Sequence, residues 1–538
     1  MFLASRHDPV DVIVIGCGAG GGVVAKELGQ AGLTVLVLEA GRRFRPTVDY
    51  RTGAADFELV APGPFAPDPA RDRYTARPVA FDVTRVKGVG GSTLGYLAVV
   101  PRLHVSDFRV RTFDGVADDW PLRYEDLEPY YCEVEYELGV SGPDGAEASP
   151  FEPSRTAPYP TPPHEFNRAS LAIKRGADRL GLHLTREALA IPTKPWHGRP
   201  ACLRAGVCMF GCGAEAKSSI DVTYVPKAEA TGRVEIRPEC VVRQITVDDE
   251  GRARTVVYVD AAGGEHEVFM RAVVVAAGAI ETPRLLLLSG SRRFPQGLAN
   301  GSGVVGRNFM EHLALNTFGV FDERLDAWRG TPAGGTIQDF YETDAENDFA
   351  RGFVIEVNGG RQWPLAVARR VGGWGTAHKE RMQAVFGHVV GLVTVGEQLP
   401  DVANTVDLDP SITDQFGLPA PRITWRLREN ERRMLRAMRR RLVEILEAAG
   451  AREIWGPSFT PGWSAHYLGT CRMGADPRTS AVDPWGRAHD VPNLFIADGS
   501  VFVTGGSANP ALTIMALALR TSERIVELFR RSEVARRG

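Results

Sequence analysis

The chain has 538 residues, 44% hydrophobic and 24% charged, with 63 Lys and Arg against 66 Asp and Glu for a net charge of −3. That length exceeds one simple core and implies two domains or one interleaved pair. The near-neutral balance gives no reason to expect nucleic acid or an anionic membrane as partner, and no apolar stretch approaches bilayer length. Seven cysteines, an odd number at low density, argue against a disulfide scaffold and fit a reducing compartment.

The opening MFLASRHDPVDVIVIG carries Asp8 and Asp11 around its first apolar residues. Its run leads straight into glycines, so it reads as a first strand and not a secretory signal, and the expected location is cytoplasmic. DVIVIG (11–16) has the β-branched composition of a strand buried on both faces. Residues 19–31 read as a helix of small residues, and LTVLVLEAG (33–41) as a second buried strand. Residues 42–80 are rich in Pro, Arg and Asp without periodicity and read as an excursion. WPLRYEDLEPYYCEVEYELGV (120–140) is an amphipathic helical stretch, and the Pro/Ser-rich 141–166 marks a boundary.

Residues 234–278 read as strands joined by hairpin turns at Glu250-Gly251 and Gly263-Gly264. Residues 315–425, with FVIEV and HVVGLVTV, read as strand-rich and part of a sheet domain. ENERRMLRAMRRRLVEILEAAG (429–450) is a charged amphipathic helix closed by Gly450, its arginines forming a solvated face. The terminal RRSEVARRG reads as a frayed tail.

Gly16-Cys17-Gly18-Ala19-Gly20-Gly21 fits G-x-G-x-x-G between a predicted strand and helix, and Glu39 ends the second strand. Gly16 makes the turn, Gly18 admits a pyrophosphate, Gly21 lets helix pack on strand, and the acid can bind a ribose hydroxyl. This pattern implies a dinucleotide without separating NAD from FAD. RPACLRAGVCMFGC (199–212) groups Cys202, Cys208 and Cys212. The residues alone leave open metal ligands, a disulfide with one spare thiol, or buried small hydrophobes. Zinc is disfavoured, since no further ligand follows at ribbon spacing.

KGVGGSTLGYLAVVPR (87–102), VVVAAGAIETPRLLLLSG (273–290), HYLGTCRMG (466–474) and VDPWGRAHDVPNLFIADGSVFVTGGSANPALTIMALALR (482–520) follow the fingerprint in order. Together they resemble the glucose–methanol–choline (GMC) family of FAD oxidoreductases. The resemblance implies an α/β (α+β overall) fold, with a Rossmann-like FAD-binding domain interleaved with an antiparallel-sheet substrate domain. Residues 1–160, 217–310 and 463–538 would form the first, and 161–216 and 311–462 the second.

It also implies that Gly90, Gly91, Ser92 and Thr93 lie along the flavin and its phosphates, and that Asp498 and Gly499 bind the pyrophosphate and ribityl side. Val242 would touch the adenine. His466 matches the family's active-site histidine, the base that takes the hydroxyl proton as hydride leaves for flavin N5. Asn509, followed by Pro510, matches the position that orients the substrate oxygen. Some relatives attach FAD through a histidine near the Gly-Gly-Ser turn. Here the stretch is Leu94-Gly95-Tyr96, so non-covalent FAD is expected.

The cysteine spacing resembles gluconate 2-dehydrogenase-like large subunits and FAD glucose dehydrogenases. In the latter, three cysteines hold a [3Fe-4S] cluster that feeds a cytochrome. Aminoglycoside-biosynthetic dehydrogenases of the same family share much of this character. The function implied is oxidation of a sugar, amino sugar or polyol, with oxygen or another acceptor, including an acceptor protein, taking the electrons. A sugar dehydrogenase relaying through a cluster and an FAD-containing lyase are the alternatives.

Overall fold

The computed structural model describes residues 10–50, 65, 72–358 and 364–534. The chain's first nine residues, most of the middle of the predicted 42–80 excursion and the last four residues of the tail lie outside that set. Two large sheets organise the rest.

The first sheet is seven-stranded and runs, edge to edge, 234–237, 35–38, 10–15, 265–275, 253–259 and 241–247, with 494–496 also pairing with 265–275. Val10–Ile15 pairs in parallel with both Val35–Leu38 and the end of Glu265–Val275. Val12 to Ile15 and Val35 to Leu38 are buried, which is why these segments are continuous apolar runs and not alternating ones. Each fully buried Val or Leu contributes about 1.5–3 kcal/mol. The helix Ala19–Gln30 crosses between the first two strands. Glu265–Val275 is long enough to serve two roles. Its start forms an antiparallel hairpin with Ala253–Val259, and its end joins the parallel layer.

The second sheet has six strands in the order 453–459, 315–320, 389–396, 353–358, 333–337 and 184–185, all antiparallel. One face carries Leu184, Ile337, Ile355, Leu392 and Leu315, packed with Met434, Met438 and Leu442 of the helix Glu429–Ala449. That helix ends at Gly450, whose φ of +93° is the left-handed conformation expected of its closing glycine. The other face carries Glu356 and Val393, and Asn509 of the first half of the fold lies against it. The strand-rich reading of 315–425 missed two helices, Pro364–Val371 and Gly375–Val385. Val367 and Val385 of these helices are buried against Phe318 and Val320, so tertiary packing, not a strong periodic signal, holds them.

Among the described residues no helix is long and apolar enough to cross a membrane.

Candidate active site

The glycine-rich turn is built by backbone crowding. A Cβ on Gly20 would lie 1.7 Å from the carbonyl oxygen of Ala497, and one on Gly21 would lie 1.9 Å from that of Gly16. Gly16 itself has φ +96°. The helix that follows has no side-chain cap and no acid in its first turn. Its leading N–H groups therefore form an anion site at the positive end of the helix dipole. Gly18 is its N-cap and Ala19 its first residue.

A second glycine turn docks here. Gly90 donates its N–H to the Cys17 carbonyl at 2.9 Å, and a Cβ on Gly91 (φ +54°) would lie 2.6 Å from the Cα of Gly18. Thr93 is buried and structural, its hydroxyl bonding the Gly90 carbonyl and accepting from the Ile220 N–H. Ser92 accepts from the Val86 N–H.

Glu39 is buried at the end of its strand. One carboxylate oxygen accepts the Cys17 N–H and the other the Gly41 N–H, both at 2.8 Å, leaving each oxygen a further lone pair for a ribose hydroxyl. Burial pushes its pKa up, against the pull of those N–H groups. Residues 239 and 240 pair with Gly41 and Glu39, which brings Val242, half-buried on Val241–Val247, into the same neighbourhood.

Asp498 ties three segments together. It accepts from the N–H of Gly278, the hydroxyl of Thr282 and the N–H of Ser500. The hydroxyl of Ser500, fully buried beside it, faces Asp498 and Cys471. Gly499 accepts the Gly469 N–H, so this segment runs beside the strand that carries His466. The uncapped helix, the two closely apposed glycine turns and the Glu39 lone pairs fit an FAD.

His466 immediately precedes the strand Tyr467–Leu468, which pairs antiparallel with Met310–Glu311, Tyr467 opposite Glu311 and Leu468 opposite Met310. That register puts His466 opposite His312, and their Nδ1 atoms are 3.0 Å apart. The Nε2 of His312 lies 2.8 Å from the carbonyl oxygen of Gly506. A carbonyl only accepts, so His312 Nε2 carries hydrogen and, in the neutral ring, Nδ1 is an acceptor. His466 Nδ1 must then be the donor, which leaves His466 Nε2 with a free lone pair. Burial lowers the proton affinity of both rings. For His466 the neighbouring His312 adds to the effect, placing it well below the ordinary histidine value. Two neutral imidazoles in this tautomeric order are the consequence.

The arrangement is braced from both sides. Glu311, buried, accepts from the Gly462 N–H and from the N–H and hydroxyl of Ser464. The Ser464 hydroxyl in turn accepts the His466 N–H. On the other side, Glu397 accepts the Gly506 N–H at 3.0 Å and pairs with the fully buried Arg351, which also binds Asp107 and Asp114. Asn509 follows three residues after Gly506, with Pro510 capping the helix Ala511–Arg530. Its Oδ1 is buried without a protein partner, and its amide lies close enough to Glu356 to favour the ionised carboxylate.

Sequence reasoning named His466 and Asn509 but not His312, Glu311 or Glu397, which the structure places around them. A lone histidine in MEHLALN has no spacing signal, because its partner is 154 residues away.

The three grouped cysteines lie near one another, but among the described residues they are not placed as a metal's ligand set. All seven cysteines are free thiols, which also removes the disulfide alternative. No group of three or more His, Cys, Asp or Glu among the described residues is placed to hold a metal ion. Cys202 Sγ accepts the Arg204 N–H and Cys212 Sγ the Lys217 N–H. Burial pushes the Cys208 thiol up to about 12. The ammonium of buried Lys217 binds the carbonyls of Leu94, Tyr96 and Cys208. The loop thus braces the Gly-Gly-Ser turn.

Comparison with known proteins agrees with this geometry. The GMC oxidoreductase family profiles match residues 82–314 and 400–518, and an FAD binding domain profile matches 11–77. The 2-methyl-1,2-propanediol dehydrogenase of Mycolicibacterium austroafricanum is 36% identical, covering 98% of this chain and 97% of its own. The fructose dehydrogenase large subunit of Gluconobacter japonicus is 33% identical (96% and 97%). The 6'''-hydroxyparomomycin C oxidase of Streptomyces lividus is 32% identical (96% and 91%). Among solved structures, pyridoxine 4-oxidase from Mesorbium loti superposes with TM-score 0.64 at 20% identity, over 96% of this chain and 99% of that one. The chain belongs to the GMC oxidoreductase family and is an FAD-dependent oxidoreductase.

Proposed function

We propose that this enzyme oxidises a hydroxyl group of a sugar, amino sugar or polyol, with His466 as the base and FAD held non-covalently. The observation that carries the reading is the Nδ1–Nδ1 bond of His312 and His466, which leaves His466 Nε2 as a neutral acceptor. FAD held at this site would supply the hydride acceptor, with oxygen or another acceptor as the final oxidant. His466 Nε2 takes the hydroxyl proton as the carbon–hydrogen bond breaks. The Asn509 amide holds the substrate oxygen and stabilises its developing negative charge.

Gly16, Gly18, Ala19, Gly20, Gly21 and Glu39 hold the adenosine and pyrophosphate side, with Val242 against the adenine. Gly90, Gly91, Ser92, Thr93, Asp498, Gly499 and Pro510 line the remainder. The seven-stranded half is the cofactor domain and the six-stranded half the substrate domain, divided as the sequence suggests. The enzyme acts in the cytoplasm. No electron path through Cys202, Cys208 and Cys212 is part of this reading. The relatives named for a diol, a sugar and an aminoglycoside support the breadth of the substrate class.

Anaerobic mixing with candidate alcohols tests the reading. Bleaching of the flavin absorbance by at least one alcohol is expected. Turnover of a substrate without any bleaching would show a lyase instead.

A further inference from the structure

Two buried carboxylates outside the base machinery stand at the substrate side of the six-stranded sheet. Glu356 on Phe353–Asn358 is 4% exposed and Glu187, just beyond the strand Leu184–Thr185, is 6% exposed. The register sets Thr185 opposite Thr336 and Thr336 opposite Glu356. These residues share the face turned away from the helix Glu429–Ala449, and Glu187 follows two residues along from Thr185. The two carboxylates are close enough to repel one another.

Neither is paired with a cation among the described residues. Among the described residues the charged groups that act on Glu187 are Glu356 and Glu152 alone, and the one polar group that acts on Glu356 is the Asn509 amide. Glu152 lies by Arg155, which acts on it and not on Glu187. One oxygen of each carboxylate, Glu187 Oε2 and Glu356 Oε1, is buried without a hydrogen-bond partner. A third group points to a ligand independently of the acids. Gln338, 5% exposed, follows Ile337 on the strand beside Glu356, and the alternation of that strand places it on the same face as Thr336. Its Oε1 is also unpartnered. Among the described residues these three buried acceptor oxygens have no hydrogen-bond partner, and Glu356 lies beside the Asn509 amide.

Buried polar groups are ordinarily paired, and a buried unpaired carboxylate costs several kcal/mol. A donor-rich cation satisfies all three acceptors at once. Burial holds both carboxyl groups above the usual carboxylate range, with repulsion from Glu356 adding to the effect on Glu187 and Glu356 itself at about 7, so an arriving cation converts the pair to its ionised form.

The geometry points to a subsite for a protonated amine formed by Glu187 and Glu356 with Gln338, so that the preferred substrate is an amino alcohol of the amino-sugar type oxidised at a hydroxyl held by Asn509. This rests on the alcohol-oxidation reading above and narrows its substrate class. A neutral polyol, hydrogen-bonded by the same carboxylates, is the competing occupant.

Matched pairs decide between them: 2-amino-2-methyl-1-propanol against 2-methyl-1,2-propanediol, and paromamine against its N-acetylated form. Each is tested on the FAD-loaded enzyme, on Glu187→Gln and on Glu356→Gln. Two readouts are taken, the shift of the flavin spectrum on binding and the rate of anaerobic bleaching.

The expected result is binding at least tenfold tighter for the amine member of a pair in the wild type. Both variants should lose that preference while keeping their flavin. Equal or tighter binding of the neutral members, or an amine preference that survives both substitutions, would overturn the subsite. Because binding is read separately from bleaching, a tight amine that never bleaches the flavin would support the subsite and sink the oxidation reading. Bleaching by neutral alcohols with no amine preference would do the reverse.

Discussion

His312 Nδ1 lies 3.0 Å from His466 Nδ1, and the far nitrogen of His312 is committed to the Gly506 carbonyl. The bond therefore has one allowed direction, from His466 to His312, and it fixes which nitrogen of His466 can take a proton. His312 acts as a positioning residue through that bond. Glu397 and Arg351 act one step further out, by holding the Gly506 N–H and so the carbonyl that orients His312.

Replacing His312 by leucine should free the His466 ring to adopt either tautomer. A correctly poised general base contributes about 10²–10⁴-fold, and we expect the loss of its orientation to lower kcat by at least about tenfold with KM nearly unchanged. His312→Gln, whose side-chain oxygen can accept from His466, should recover part of the loss. Steady-state kinetics of both variants, with flavin content as the control for folding, checks this.

The pH dependence follows from the same pair. Burial, then the neighbouring His312, holds His466 well below the ordinary histidine value of 6.5. The base must be unprotonated, so kcat/KM should stay level as pH falls to 6.5 and drop only below it. In His312→Leu one lowering influence is gone, and the acid limb should move to higher pH. Stability carries the same sign. Below 6.5 the unfolded chain binds a proton at this histidine that the folded chain does not, so stability falls as pH falls through that window. A pH–rate profile and thermal unfolding at two pH values test both.

The glycine turns can be tested by their crowding. Gly20→Ala would put a Cβ 1.7 Å from the Ala497 carbonyl oxygen, and Gly91→Ala would meet Gly18. Both should yield protein with little or no bound FAD. Gly115 has φ +70° with nothing within 4 Å of its would-be Cβ. Gly115→Ala should therefore cost only the left-handed backbone penalty, about 1–2 kcal/mol, with flavin and activity retained.

The cysteine loop braces the turn that follows Gly90 and Gly91 through Lys217. Cys208→Ala should leave the rate of flavin bleaching by an alcohol within about twofold of wild type, since surrounding contacts are otherwise unchanged. Lys217→Met should release flavin, because the carbonyls of Leu94 and Tyr96 lose their donor. Flavin retention after gel filtration separates the two variants.

Much of the first sheet was legible in the sequence because its signals are local. The Val12–Ile15 run, the glycines and Glu39 lie within thirty residues and obey backbone requirements that few other residues satisfy. The closing glycine of Glu429–Ala449 and the hairpins at 250–251 and 263–264 are equally local. The catalytic surroundings were legible only at His466 and Asn509, through resemblance. His312 meets His466 through a two-residue ladder between distant segments, and Glu187 meets Glu356 across a three-strand row. Nothing in either local stretch announces such a meeting. Helices 364–371 and 375–385 were missed for the related reason that their buried residues answer to a sheet more than forty residues upstream.

The most direct test of the account is the rate of anaerobic flavin bleaching by an alcohol substrate in His466→Ala beside wild type. General-base loss predicts a fall of about 10²–10⁴-fold with FAD still bound and thermal stability little changed. Bleaching at the wild-type rate by the alanine variant would contradict it, and would place the base elsewhere.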